Sequence, residues 1–249
     1  MHSPLRTAAD EGDALAVSDA LEALIAAGID TPADRQYAYD AVSTDTADTA
    51  AANYARASVT GRLVQQKGLL GASMVRDVER NARRSRELDP TFRDGAATRL
   101  LGTLYVLAPA SFLQHGDSED GLDLLVGLVQ TYPNVAQNHL RLAEAYIALG
   151  DSAPAIPHLC RSLDLRAALR RDEQLLLAHL IADLGALDCR SAVAPAHYRR
   201  GRQDACPARG ASARVPAFCQ AAWAMPLAAA RRSHPDVHER ESTTPLATP

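Results

Sequence analysis

The sequence is poor in aromatic residues, which make up only 4% of its 249 residues. A large β-sandwich draws more heavily on tyrosine, phenylalanine, valine and isoleucine than this chain does. Alanine and leucine dominate instead. They are good helix formers because they lose little side-chain freedom in a helix. Hydrophobic residues account for 47% of the chain, which is enough for a buried core. The composition therefore predicts an all-α fold.

Long apolar runs, a strong net charge and a leader segment are also missing. No stretch approaches about 18 consecutive apolar residues, so we expect no membrane-spanning helix. The formal net charge of −4 gives no electrostatic reason to expect a nucleic-acid partner. The first residues hold neither an apolar run of signal-peptide length nor a lipid-attachment cysteine. As written, the sequence predicts a cytoplasmic protein, and an incomplete N-terminus would void that prediction.

Metal-binding and catalytic patterns are sparse. No CxxC pair is formed by the four cysteines, Cys160, Cys189, Cys206 and Cys219. Acid–base catalysis by His115 and Asp117 would need further groups converging on a pocket, and Asp117 is better explained as a helix cap. His139 and His158 fall in adjacent predicted helices without a third metal ligand at a recognisable spacing. We expect Cys160 to be a small core residue, and we expect no catalytic residue, no metal site and no cofactor.

Local signals mark two helices near the start of the chain. Residues 13–27 have a broad apolar face, with Asp13 placed to cap the helix and Gly28 placed to end it. Thr31 and Pro32 suit the N-cap and the first position of a second helix. These ends should form without help from the rest of the fold, because each depends on residues within one turn.

A repeat pattern is clearest in the later part of the chain. Ala143, Tyr146, Gly150 and Ala155 have the spacing of a tetratricopeptide unit. The small residues let two helices approach, the tyrosine fills the groove between them, and the glycine permits the turn. Stacked pairs bury the apolar surface that each pair alone leaves uncovered. The pattern predicts a tetratricopeptide-like helix-pair solenoid.

The predicted domain covers residues 1–187. Its helix pairs are expected at about 49–90, 92–133 and 135–168, followed by a capping helix at about 171–185. Residues 188–249 are rich in proline, arginine and alanine without helical periodicity. We predict that they form a disordered C-terminal tail, because they cannot bury enough apolar surface to offset chain entropy.

Three details of the predicted stack are irregular. Gly102 and Tyr105 match the small and aromatic positions of the middle pair, but the turn glycine comes late, which predicts an inserted loop at 106–117. Leu70 is expected to belong to the apolar face of the second helix of the first pair. Pro157 falls inside the last helix of the stack and favours a later start for it, because proline removes a helical hydrogen bond.

Residues 50–150 carry a more specific pattern. It comprises VTGRL at 59–63, RELDP at 86–90, FRDGAATRLLGTLY at 92–105, HGD at 115–117 and LAEAYIALG at 142–150. In these blocks the chain resembles the tetratricopeptide-like family of T components of TRAP transporters. The resemblance implies a periplasmic accessory protein that associates with a solute-binding protein, as an oligomer with a ligand-sized pore. A periplasmic location would require an N-terminus longer than the one written.

Two groups of residues are candidates for binding. Tyr54, Tyr105 and Tyr146 recur at equivalent helix positions, where they either line a groove or pack between helices; we favour packing. The inserted loop is the better candidate because insertions in solenoids project on one face, and Pro109, Phe112 and Leu113 are apolar for a loop. We expect them to cover a groove or to contact a partner.

A basic strip is a further candidate. It consists of Arg76, Arg80, Arg83 and Arg84, which share one helix side. The strip either binds an anionic partner or forms a solvated face, and we favour the second because acidic residues are interleaved with the arginines.

Three functions stay open. The first is a non-catalytic binding scaffold for a protein or a small organic ligand, with a transport accessory as its narrower form and a homo-oligomer as its implied state. The second is a general cytosolic tetratricopeptide adaptor for protein–protein contacts. The third is an enzyme of unrecognised type, which would need titratable groups converging on a pocket.

Overall fold

The computed structural model describes residues 2–185 and 187–190. All regular structure in this part of the chain is helical, which confirms the all-α prediction. The α-helices are α1 (Ser3–Asp10), α2 (Ala14–Ala27), α3 (Pro32–Thr44), α4 (Ala50–Lys67), α5 (Val75–Leu88), α6 (Ala96–Leu107), α7 (Ser118–Thr131), α8 (Ala136–Ala148), α9 (Ser152–Asp164) and α10 (Arg171–Leu184). Short 3₁₀ segments cover Gly68–Met74, Ala110–Phe112 and Arg166–Ala168.

The helix ends follow the local signals. The Asp13 side chain accepts a hydrogen bond from the backbone N–H of Leu15, and Gly28 ends α2 in the left-handed region at φ 69°. Thr31 caps α3, and Asp117 caps α7 through hydrogen bonds from two first-turn amides. The three predicted N-caps are confirmed.

Helix α1 was not predicted from the sequence, and a tertiary contact holds it in place. The backbone N–H and the Nδ1 atom of His2 each lie 2.9 Å from the carboxylate of Asp34, a fully buried residue of α3. Burial alone would raise the pKa of Asp34, but hydrogen bonds from Thr31 and His2 outweigh it and lower the pKa below its usual range. Leu5 is fully buried and joins α1 to the core around α2 and α3.

The remaining helices pack as consecutive neighbours, as expected for a helical solenoid. The most extensive contacts join α4 with α5, α6 with α7 and α8 with α9. At the crossing of α6 and α7 the two backbones come very close, because a Cβ atom on Gly121 would lie 2.7 Å from the carbonyl oxygen of Gly102. The predicted role of Gly102 as a small crossing residue is therefore confirmed, and Gly121 opposite it has the same role.

The solenoid also closes on itself. Helices α2, α4, α6 and α8 contact one another in that order, and α10 contacts both α8 and α2. These five helices form a ring, which we call the inner ring, and α3, α5, α7 and α9 pack outside it. The helix predicted to cap the stack therefore also joins its two ends.

Two details differ from the predictions. Leu70 is 89% exposed, because Gly68–Met74 forms a 3₁₀ segment and α5 begins only at Val75. Helix α9 begins at Ser152 and continues through Pro157, so the expectation of a later start is wrong. The neighbouring helices compensate for the hydrogen bond that Pro157 lacks, since Ala155 and Leu159 on either side of it are fully buried.

A disulfide that the sequence analysis did not foresee joins Cys160 of α9 to Cys189, with a Cα–Cα distance of 5.5 Å. Cys160 is buried, as expected for a core residue, but it is not a free thiol. The bond ties residues 187–190 to the helical domain, although 188–190 had been assigned to the tail. The rest of the predicted disordered tail, 191–249, lies outside the described residues. Among the helices of the described ranges, none is long and apolar enough to cross a membrane.

Candidate functional site

Charged side chains from every helix of the inner ring meet where these helices face one another. We call this group the inner charged cluster. Its members are Glu22 of α2, Arg62 of α4, Arg99 of α6, Arg141 and Glu144 of α8, Arg170 just before α10, and Asp172 and Glu173 of α10. Four arginines and four carboxylates thus lie within the inner ring.

The closure of the ring depends on ion pairs within this cluster. The Glu22 carboxylate accepts hydrogen bonds from Arg62 and lies 2.7 Å from Nη1 of Arg170. Arg62 also lies 3.1 Å from Asp172, so it connects α4 to both α2 and α10. Burial raises the pKa of Glu22, but the two arginines outweigh burial and lower it overall. Because the pKa of Glu22 is lowered and that of Arg62 is raised, this ion pair keeps its charges at neutral pH.

A second ion pair lies on α8. Nη1 of Arg141 is 2.8 Å from the Glu144 carboxylate. Burial lowers the pKa of Arg141, but Glu144 outweighs it and raises the pKa overall. The Arg141 side chain keeps 20% of its exposure although protein surrounds it closely. It thus lies in a recess that solvent still reaches.

Arg99 differs from the other arginines of the cluster. Its hydrogen bond goes to a neutral acceptor, from Nη1 to Oδ1 of Asn138 at 2.7 Å. Within residues 2–185 and 187–190 no carboxylate lies within ion-pair distance of it. Burial, helped by the charges of Arg141 and Arg170, lowers the pKa of Arg99.

The surroundings of Arg99 are polar but incompletely paired. Asn138 is fully buried, and its Nδ2 atom has no hydrogen-bond partner among the described residues. Arg99 itself stays partly exposed to solvent. A buried donor without an acceptor is uncommon in folded proteins. Arg99 and Asn138 therefore present more hydrogen-bond donors than the described residues supply acceptors.

Tyr54 is the predicted candidate that belongs to this region. It lies half-buried on α4, close enough to Arg99 for the two groups to interact electrostatically. Its ring contacts Phe92 at a centroid distance of 5.6 Å, and the guanidinium of Arg93 lies 5.9 Å from its centroid. Arg93 is held by Asp19 of α2 at 2.6 Å. Two aromatic rings and the guanidinium of Arg93 thus lie beside the inner charged cluster.

The other two tyrosines are packing residues. Tyr105 is 5% exposed, and its ring fills the space beside Gly116, where a Cβ atom would lie 2.2 Å from it. Tyr146 is 7% exposed and stacks on His158 with a centroid distance of 6.1 Å. The structure therefore does not bring the three tyrosines together in one site.

The inserted loop folds back onto the protein. Phe112 and Leu113 pack against a buried apolar cluster that contains Val64, Val75, Val78 and Ala108, and Pro109 is half-buried beside them. Fully buried Glu79 of α5 accepts hydrogen bonds from the backbone amides of Gln114 and His115, at 2.8 and 2.9 Å. The loop therefore covers the α4–α5 side of the solenoid, and Pro109, Phe112 and Leu113 lie away from the inner charged cluster.

Two arginines of the basic strip on α5 pair with acidic side chains. Arg80 lies 2.8 Å from Asp77, and Arg84 pairs with Asp48 and Glu87. Together with Arg83 and His115 these arginines line a shallow surface groove. This pairing favours the interpretation of the strip as a solvated face.

His139 and His158 form a partly buried pair between α8 and α9. Their Nδ1 atoms are 3.0 Å apart, and Nε2 of His139 lies 2.9 Å from the carbonyl oxygen of Pro133. Burial, together with the neighbouring His139, lowers the pKa of His158 to about 4. Among the described residues no group of three His, Cys, Asp or Glu side chains has a metal-binding arrangement.

The inner charged cluster was not predicted from the sequence, although one signal was present. Arg99 is the only charged residue of α6, whose other side chains are apolar or small and polar. A lone arginine in such a helix predicts a buried charge with a specific partner. The partner itself could not be predicted, because Asn138 lies 39 residues away on another helix.

Comparison of the sequence with protein-family models and with curated proteins finds no match.

Proposed function

We propose that the protein is a non-catalytic binding scaffold whose ligand or partner segment contacts the inner ring. The observation that carries this proposal is the inner charged cluster, which keeps solvent-reachable charges inside a closed ring of helices. Replacing buried ion pairs by apolar residues is often neutral or stabilising, so stability alone does not account for them. A role in recognition does, because charged groups held in fixed positions select a partner of complementary charge.

The charge states of the cluster favour binding over catalysis. A general acid or base works best with a pKa near the working pH. Glu22 has a lowered pKa, and Arg62 and Arg141 have raised ones, so these groups keep their charges throughout the physiological range. They can orient a bound molecule, but they are poorly suited to exchanging protons with it.

Within this proposal, the narrower role is that of a transport accessory that docks a solute-binding protein. Two observations support it. Residues 50–150 resemble T components of TRAP transporters, and the Cys160–Cys189 disulfide is a bond that persists mainly in oxidising compartments such as the periplasm. The same bond counts against the cytosolic adaptor.

The scaffold is tested by affinity capture from native extract with the full chain as bait. The test variant is a chain with Arg62→Gln, which removes the charge that joins α4 to Glu22 and Asp172. The matched control, Arg80→Gln, changes an exposed charge outside the ring. We expect wild type and Arg80→Gln to retain the same partner or ligand and Arg62→Gln to lose it. Failure of the wild-type chain to retain anything above background would contradict the proposal.

The location is tested separately. Native protein is alkylated at the moment of lysis and digested, and the peptides containing Cys160 and Cys189 are mapped by mass spectrometry. A disulfide-linked peptide pair is expected for an exported protein, whereas alkylated cysteines would favour the cytosolic adaptor.

A further inference from the structure

We propose that Arg99 anchors the carboxylate of a small organic acid in the inner ring, with Asn138 and Tyr54 beside it. This inference rests on the proposed binding function and names the chemical class of the ligand. Three helices supply the site, since Tyr54 lies on α4, Arg99 on α6 and Asn138 on α8.

The first argument is the hydrogen-bonding capacity of Arg99. A guanidinium has five N–H donors in a fixed fork that matches a carboxylate in bidentate geometry. Nη1 of Arg99 donates a hydrogen bond to Asn138, and among the described residues no carboxylate lies within ion-pair distance of the guanidinium. The other buried arginines, Arg62 and Arg141, each have a carboxylate at 2.7 to 2.8 Å. Arg99 is therefore the member of the cluster that lacks its natural counter-ion.

The second argument is independent of Arg99. The Nδ2 atom of Asn138 is buried without an acceptor, although its Oδ1 atom is occupied by Arg99. A ligand oxygen held at Arg99 would be a candidate acceptor for this amide once the side chains adjust around it. Retaining an unpaired buried donor next to a partly buried cation without a counter-ion is unfavourable for folding, which points to a partner that the described residues do not provide.

The charge of the surroundings selects the ligand. With all members ionised, the four arginines and four carboxylates of the inner charged cluster sum to zero. One further negative charge at Arg99 is tolerated better than two, because carboxylates such as Glu173 lie in the same cluster. This favours a monocarboxylate over a phosphate dianion. The half-buried ring of Tyr54 and its neighbour Phe92 suit an apolar body behind the carboxylate.

Arg99 has access from solvent. The residue keeps partial exposure, and so do Arg141 at 20% and Arg170 at 37% for their side chains. Solvent therefore reaches the arginines of the cluster. The lowered pKa of Arg99 agrees with this assignment, since a bound carboxylate would reverse the effect of burial.

The test is isothermal titration calorimetry of the full chain with acetate, butyrate, benzoate, succinate and inorganic phosphate, and with benzamide as the uncharged analogue. Three variants are compared: Arg99→Gln, Arg99→Lys and, as a surface control, Arg80→Gln. We expect a monocarboxylate with an apolar body to bind wild type and Arg80→Gln equally, and benzamide not to bind. Arg99→Gln should weaken binding by at least about 10-fold, with Arg99→Lys intermediate, because lysine keeps the charge but loses the fork.

Thermal unfolding of the same variants separates a ligand anchor from a structural residue. Arg99→Gln should keep or raise the Tm, because it removes a partly buried charge that has no counter-ion among the described residues. Arg141→Gln should lower the Tm, because it leaves the buried Glu144 unpaired.

Three outcomes would overturn the assignment. They are no saturable carboxylate binding to wild type, phosphate binding more tightly than every carboxylate, or undiminished binding to Arg99→Gln. None of them would contradict the scaffold itself, because capture of a protein partner is measured independently with the wild-type chain as bait and Arg62→Gln as the variant expected to lose it.

Discussion

The crossing of α6 and α7 can be tested with two alanine substitutions in one helix. Gly121 and Gly127 both lie in α7, between Ser118 and Thr131. A Cβ atom on Gly121 would lie 2.7 Å from the carbonyl oxygen of Gly102 and 2.8 Å from Cβ of Tyr105. A Cβ atom on Gly127 would meet nothing within 4 Å. The two positions therefore share a helix and differ in tertiary contact.

The expected free energies follow from two effects. Replacing glycine by alanine in a helix gains about 1 kcal/mol or less from helix propensity, and this gain is similar at both positions. Overpacking a close contact costs about 1–3 kcal/mol. Gly127→Ala should therefore stabilise the protein by roughly 0.5–1 kcal/mol, whereas Gly121→Ala should be less stable than Gly127→Ala by about 1–3 kcal/mol.

The assay is urea unfolding followed by far-UV circular dichroism at one pH and one protein concentration. The free energy of unfolding is compared only if the denaturant slopes agree, because a changed slope reports a different change in exposed surface. Equal midpoints for the two variants, or a more stable Gly121→Ala, would refute the close approach of α6 and α7.

Three further predictions concern stability. Opening the Cys160–Cys189 bond with a reductant should lower the free energy of unfolding by at most about 3.5 kcal/mol, because it releases a loop spanning 29 residues. An unchanged Tm in reductant would mean that the bond does not form. The folded-state pKa of His158 is about 4, below the ordinary value near 6.5, so the free energy of unfolding should be highest above pH 6.5 and fall by up to about 3 kcal/mol towards pH 4. Urea unfolding midpoints measured across this pH range check the prediction, and His158→Gln should make the midpoint less dependent on pH. Glu79→Ala should cost about 2–4 kcal/mol and speed hydrogen exchange of the two loop amides it binds; exchange at the wild-type rate would contradict that contact.

The predicted helix ends were reliable where a few neighbouring residues are sufficient. Asp13, Thr31 and Asp117 each cap a helix through an amide two or three positions later. Such a contact forms whenever the helix forms, so it can be inferred without knowledge of the rest of the fold. Leu70 shows the limit of periodicity, because a four-residue spacing does not reveal that α5 starts only at Val75.

The candidate site was predictable only in part. Tyr54 was chosen because it recurs at a helix position shared with Tyr105 and Tyr146, yet it differs from both in exposure. The spacing of the three tyrosines is the same whether the neighbouring helices leave a groove or close it. Burial depends on which side chains meet across the helices, and single-chain periodicity does not contain that information.

Helical propensity, capping residues and small crossing residues are local properties, and the amino-acid order alone was enough to specify an all-α chain of stacked helices. Ring closure and the pairing of charges depended on the three-dimensional arrangement. Arg62 meets Asp172 across 110 residues, and Cys160 meets Cys189 only because the chain returns past α10 to α9. The small rotation between successive helices accumulates over the whole solenoid and decides whether its ends meet. That accumulated rotation placed Arg99 inside a ring of helices, where none of the described carboxylates lies within ion-pair distance of it.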